Sequence, residues 1–178
     1  LKPETISFRR EDASPLGRRA PTVAPATLVQ WLAQGHDDAG KRVVMLDTRN
    51  RQEVAYGTFA GALTFPIDKF TDLPAAVEEQ REALSDATVV SFCTGGIRCE
   101  KAGPFMEGEG FREVWQLDGG ILKYFEDVGG AHYDGECFVF DQRTGVDPAL
   151  EETPTTTCWK CQAPLSPEDQ ASPLYRPG

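Results

Sequence analysis

The chain has 178 residues and a net charge of -10, and its composition is 40% apolar and 26% charged. That length suits one ordinary domain with appendages. The acidic balance argues against generic nucleic-acid binding, which draws on an excess of Lys and Arg, and no stretch approaches the ~20 apolar residues of a membrane span.

The first residues, Leu1-Lys2-Pro3-Glu4, lack the apolar core of a secretory signal. With no initial Met, the chain is read as a piece of a longer protein, and residues 1 to 20 as the lead-in from a domain upstream. They carry Arg9, Arg10, Arg18 and Arg19, with one strand expected at Thr5 to Phe8. The five cysteines are an odd number. That fits reactive or metal-binding thiols in a reducing, cytoplasmic compartment better than a disulfide framework.

Pro25 opens an amphipathic run with apolar residues at Leu28, Val29, Trp31 and Leu32, and Gly35 closes it. Val43 to Leu46 is a short continuous apolar run, as a strand buried on both faces requires. Asp47-Thr48-Arg49 stands at its C-terminal end, with Glu53 in the next turn. A short strand is expected over Ala62 to Phe65 and a helix over Leu73 to Leu84. Thr88 to Phe92 reads as a second buried strand, followed by Cys93-Thr94-Gly95-Gly96-Ile97-Arg98 and a helix over Cys99 to Glu107. Val114 to Leu117 is a further strand. Asp118-Gly119-Gly120 is a turn, and Ile121 to Phe125 begins the last helix. One more edge strand is expected over Glu136 to Asp141. Strands alternating with helices predict an α/β fold with a central parallel sheet over residues 21 to 144. Sites in such sheets form outside the C-terminal strand ends, which puts Asp47, Arg49 and Cys93 in one crevice.

The loop from Cys93 to Arg98 carries the chemistry. A strand delivers a cysteine to a Gly-containing turn whose successive N–H groups, with the helix start behind them, make an anion cradle. A thiolate is stabilised there, so Cys93 is the expected nucleophile, with a depressed pKa. Four residues separate Cys93 from Arg98. Cysteine phosphatases use Cys-x5-Arg, and a loop one residue shorter suits one extra sulfur or oxygen on Cys93 rather than a phosphate. Cys99 reads either as a resolving thiol or as a small apolar filler. Asp47, Arg49 and Glu53 read as architectural, through a bidentate carboxylate–guanidinium pair. Arg49, Arg51, Arg98, Lys101, Lys123 and Arg143 fall near predicted loop ends. They form either a basic mouth on an acidic body or scattered solvated charges.

Residues 145 to 157 look like a linker, leading to a tail with Cys158-Trp159-Lys160-Cys161. A Cys-x2-Cys pair is half of a tetrahedral zinc site. It reads as a zinc knuckle whose other ligands lie beyond Gly178, as a redox pair, or as two idle thiols. The tail from about Gly145 onward is expected to be poorly ordered, or held only by packing of Trp159 and Leu165. No motif for a flavin, haem or iron centre is visible.

Across roughly residues 20 to 130 these motifs resemble the rhodanese family: Asp47-Thr48-Arg49, Gly57 to Ala62 (with Thr58 where a His is common), Cys93 to Arg98, Gly110-Phe111, and Leu117 to Ile121. A narrower resemblance covers nearly the whole chain. Cys93 to Lys101, Gln116 to Phe125 and Gly135 to Arg143 are similar to the bacterial tRNA uridine hydroxylase family. That resemblance implies oxygen-dependent conversion of a tRNA wobble uridine to 5-hydroxyuridine. It also implies an additional N-terminal domain that helps to bind tRNA, and zinc in the full-length protein through a second Cys pair. The alternative function is sulfur transfer, with a sulfane sulfur from thiosulfate or a protein persulfide donor carried as a Cys93 persulfide.

Overall fold

A computed structural model describes residues 19–176. In chain order the first elements are β1 (Thr22–Val23), α1 (Pro25–Gln34), β2 (Val43–Asp47), α2 (Arg51–Val54), β3 (Gly57–Phe59), α3 (Leu73–Glu79), α4 (Arg81–Ser85) and β4 (Thr88–Phe92). Then follow α5 (Cys99–Gly108), β5 (Val114–Leu117), α6 (Gly120–Val128), β6 (Tyr133–Gly135), β7 (Cys137–Phe138), β8 (Gly145–Val146), β9 (Thr156–Thr157), β10 (Pro164–Leu165) and α7 (Pro167–Gln170).

The apolar runs form one four-stranded sheet in the order β1-β5-β4-β2, with every pairing parallel. All residues of β4 are buried, because it lies between two strands and between two helical layers. Its alternate side chains feed different cores. Val90 and Phe92 pack with Leu28, Trp31, Ile121 and Tyr124 of α1 and α6. Val89 packs with Leu73, Val77, Leu84 and Met106 of α3, α4 and α5. Each fully buried Leu or Phe of these layers contributes about 1.5–3 kcal/mol. Phe59 is the hub of the first core, edge-on to Phe92, Tyr124 and Tyr133 at 4.9, 4.8 and 5.2 Å.

Several local expectations differ from the fold. Ala62 to Phe65 is not a strand: only Leu63 bridges, in parallel, to Leu46. The helix expected over Leu73 to Leu84 breaks at Gln80 into α3 and α4, and the break sets Arg81 over the Phe111 ring and onto the Glu109 carbonyl. The edge strand expected over Glu136 to Asp141 does not join the main sheet. β7 instead pairs with β8, while β6 just before it pairs antiparallel with β3. The β3–β6 pairing needs Gly57, where a Cβ would lie 2.5 Å from the Asp134 carbonyl oxygen.

The stretch read as a linker is folded. Val146 bridges to Glu152, and β9 pairs with β10. Composition suggested a linker because the stretch is rich in Thr and Pro, but the threonines are hydrogen-bond donors to the body. Thr153 and Thr155 donate their hydroxyls to the Glu136 carboxylate at 2.7 and 2.8 Å. Tyr56 Oη donates to the Thr156 carbonyl at 3.2 Å and meets Thr157 Oγ1 at 2.5 Å. Trp159, expected to pack, is exposed, while Leu165 is half-buried. The strand expected at Thr5 to Phe8 lies outside the described residues. Among the described residues no helix is long and apolar enough to cross a membrane.

Candidate active site

The site is built where β4 ends. The parallel register sets Asp47 of β2 beside Phe92 of β4, so the next residues, Thr48 and Cys93, leave the sheet together. The Thr48 N–H and hydroxyl both donate to the Phe92 carbonyl, at 3.0 and 2.9 Å, which pins the two strand ends.

Cys93 is 3% exposed at the base of its loop. The Gly96 N–H donates to Cys93 Sγ at 3.1 Å. Gly96 holds φ +85°, a left-handed conformation that turns its amide inward and that glycine adopts without strain. The loop carbonyls are used on the other side. The Ile121 and Leu122 N–H groups at the start of α6 donate to the carbonyls of Cys93 and Thr94 at 3.0 and 3.1 Å. Outward-facing carbonyls leave the amides free to converge on sulfur. Thr94 Oγ1 also donates to the Phe138 carbonyl at 3.3 Å, tying the loop to β7. Gly95 and Ile97 stand exposed at the crown.

Electrostatics follow from this cage. The neighbouring Cys99 thiol, the backbone N–H of Arg98 and the Arg98 charge draw Cys93 down from near 9 to about 6 against the opposing effect of burial. Cys99, fully buried against Thr48 and Ser91, is pushed well above its ordinary value by burial and by the neighbouring Cys93. Cys93 is therefore the anion and Cys99 its neutral donor at neutral pH.

Arg98 closes the loop and is fixed by Glu53, with contacts of 3.0 and 2.9 Å to the two carboxylate oxygens. Glu53 is oriented in turn by the Asn50 N–H at 3.1 Å. Arg49 lies beneath the crevice rather than in it. It is fully buried, forks onto Asp47 with Nη2 at 2.6 Å and Nε at 2.9 Å, and donates to the Gly57 carbonyl at 2.6 Å. Thr58 Oγ1 donates to the same Asp47 carboxylate at 2.8 Å. Lys101 is half-buried on the first turn of α5. Of the sequence candidates, the structure thus brings Cys93, Arg98, Glu53 and Cys99 together. It sets Asp47 and Arg49 one layer below.

The sequence reading missed the start of α6. Gly120 holds φ +68°, and a Cβ there would lie 2.5 Å from the Cys93 carbonyl oxygen and 2.7 Å from the Gly96 nitrogen. The signal was present as two consecutive glycines, but a turn alone explains them equally well.

Five of the six basic residues expected at the mouth are neutralised in place. Arg49 pairs with Asp47, Arg51 with Asp68, Arg98 with Glu53, Lys123 with Asp118 and Arg143 with Asp141. Cys158 and Cys161 flank the turn between β9 and β10, and among the described residues no group of three or more metal-ligating side chains gathers around them or elsewhere.

A parallel α/β sheet that ends in an amide-caged thiolate, closed by an arginine, defines a domain for cysteine-dependent group transfer or redox chemistry. The family model "Rhodanese-like domain" matches residues 28–127, and the chain belongs to that family. Two solved structures share the fold. The rhodanese-like domain of an Anabaena protein matches with a TM-score of 0.51 at 22% identity, covering 65% of this chain and 79% of that one. A Saccharomyces cerevisiae homologue of single-domain rhodanese and the Cdc25 phosphatase catalytic domain matches with a TM-score of 0.52 at 15% identity, covering 66% and 86%. Curated relatives are closer in sequence. A tRNA uridine(34) hydroxylase of Xanthomonas campestris is 69% identical over 150 residues, covering 84% of this chain and 59% of that protein. One of Burkholderia ambifaria is 56% identical over 178 residues, covering 100% and 63%. The chain therefore spans about 60% of the length of these relatives.

Proposed function

We propose that this chain is the rhodanese-like catalytic part of a tRNA wobble-uridine 5-hydroxylase acting in the cytoplasm. The observation that carries the reading is the Cys93 thiolate in its amide cage, within a chain 69% identical to a protein named for that reaction. Cys93 is the nucleophile, or the carrier of a reactive oxygen or sulfur species. The loop amides and Arg98 hold its negative charge in place. Dioxygen supplies the oxygen.

The loop's size favours one second reading, sulfur transfer from thiosulfate or a persulfide donor. Four residues between Cys93 and Arg98 suit one added sulfur. Nucleoside analysis of tRNA from a deletion strain tests the first reading. 5-Hydroxyuridine should vanish, return with the wild-type protein, and stay absent with Cys93→Ala. Undiminished hydroxyuridine in the deletion strain, beside cyanide-dependent thiocyanate formation by the purified protein, would transfer the assignment to sulfur transfer.

For Cys158 and Cys161 we propose two of the four ligands of a zinc site in a longer protein. The backbone N–H groups of Cys161 and Lys160 lower the Cys158 thiol, as a metal-ligating turn requires. Two thiolates do not complete a tetrahedron, so this chain alone should retain well under one zinc per molecule. A full equivalent by metal analysis would refute the proposal.

A further inference from the structure

Phe140 is 72% exposed, unusual for a large apolar side chain beside a reactive loop. It stands edge-to-face to Phe138 with centroids 4.9 Å apart, and the Arg98 guanidinium lies 5.6 Å from its ring centre. The two rings border a cleft of about 250 Å³ lined also by Asn50, Gln52, Glu53, Asp68, Thr157 and Gln162. Glu53 therefore borders two neighbouring spaces. On one side it fixes Arg98 at the Cys93 loop, and on the other it lines this cleft, with Arg98 set against the Phe140 ring.

The chemistry of the lining selects a ligand. The cations nearest the cleft are neutralised, Arg98 by Glu53 and Arg51 by Asp68. No positive surplus is left for a phosphate. What remains is aromatic surface and a rim of amides and ion-paired carboxylates. Asn50 caps α2, its N–H donating to the Glu53 carboxylate at 3.1 Å. A flat, uncharged heterocycle with polar edges fits an aromatic wall with a polar rim, and bases stack on aromatic side chains with little regard to sequence.

We propose that the Phe138–Phe140 cleft is a base-stacking subsite, which takes the nucleobase next in the strand to the one presented to Cys93. The proposal rests on the RNA substrate of the preceding section. It assigns Phe140 the role of a positioning residue that holds the strand, while Arg98 and the loop serve the reacting base.

The test compares wild type, Phe140→Ala and Phe140→Trp on a uridine-containing anticodon-loop oligoribonucleotide and on the same strand with an abasic site beside the uridine. Fluorescence anisotropy gives binding, and hydroxyuridine formation gives kcat and KM. Loss of one stack is worth roughly 1–3 kcal/mol, so Phe140→Ala should raise Kd and KM about five- to a hundredfold and change kcat little. Phe140→Trp should restore binding. The abasic strand should cost wild type a similar factor and cost Phe140→Ala nothing more. Undiminished discrimination against the abasic strand in Phe140→Ala overturns the proposal. So does a shifted Cys93 ionisation in that variant, because the ring would then act through Arg98. Greater protease sensitivity with unchanged RNA binding also overturns it, because the cleft would then be packed by protein. Binding that behaves as expected without any hydroxyuridine from wild type would sink the hydroxylase reading and leave the subsite standing.

Discussion

Cys93 and Cys99 belong to one loop–helix segment, yet Cys93 is drawn down to about 6 and Cys99 is pushed well above its ordinary value. Amides and a neighbouring thiol surround the first, and Thr48, Ser91 and hydrocarbon the second. Cys93 therefore ionises with a midpoint near pH 6, visible as the ultraviolet thiolate absorbance that Cys93→Ala lacks. Cys99→Ala removes the neighbouring thiol, so the midpoint should rise, while Cys99→Ser keeps a donor and should move it less. An unmoved midpoint in Cys99→Ala would refute this division of roles. Because the folded value lies below the unfolded one, ionised Cys93 stabilises the fold. That contribution is complete above pH 9 and is lost as the pH falls through 6.

Arg49 makes the opposite kind of contribution. Removing one partner of a buried pair leaves the other charge uncompensated, so Arg49→Ala should cost about 3–5 kcal/mol by denaturant unfolding. A fully stable but inactive Arg49→Ala would place it in the substrate site instead.

At the scale of elements, the active loop is shaped from outside by the start of α6. Gly120→Ala would drive a methyl against the Cys93 carbonyl at a positive φ. The expected outcome is a loss of at least ~2 kcal/mol of stability together with a raised Cys93 midpoint, since the Gly96 amide would be displaced. Wild-type stability and an unchanged midpoint would show that α6 does not hold the loop.

This contact explains what the sequence could and could not reveal. The strand, Cys93, Gly95-Gly96 and Arg98 were legible because their chemistry resides in residue type and spacing. The α6 contact is made by main-chain N–H groups and by a missing Cβ, which leave two glycines and no further sign. Likewise, β3 and β6 meet through the close approach of Gly57 and Gly135, and the Asp134 and Tyr133 partners lie far along the chain. Thr153 and Thr155 look like linker residues until Glu136 is brought beneath them. The parallel core was legible because β2, β4 and β5 are short, mostly apolar runs between helices, whereas the small antiparallel pairs are two or three residues long and carry no period.

At the scale of the whole molecule, Arg49, Arg51, Arg98, Lys123 and Arg143 each answer to a carboxylate of their own, and the chain as a whole carries a net charge of -10. Opposite charges a few ångströms apart cancel beyond a Debye length of ~8 Å. This part of the protein therefore casts no long-range attraction toward a polyanion. Under the proposed subsite, an RNA strand should be retained by stacking and short contacts, with few counterions released. The logarithm of its binding constant should then fall with the logarithm of salt concentration with a slope of only about one or two, against the slope near ten of a protein that clasps many phosphates. Titrations of the oligoribonucleotide across salt concentrations would measure it. A steep slope would mean that the paired arginines abandon their carboxylates for phosphate on binding, and that the resting ion pairs are a latch and not a fixture.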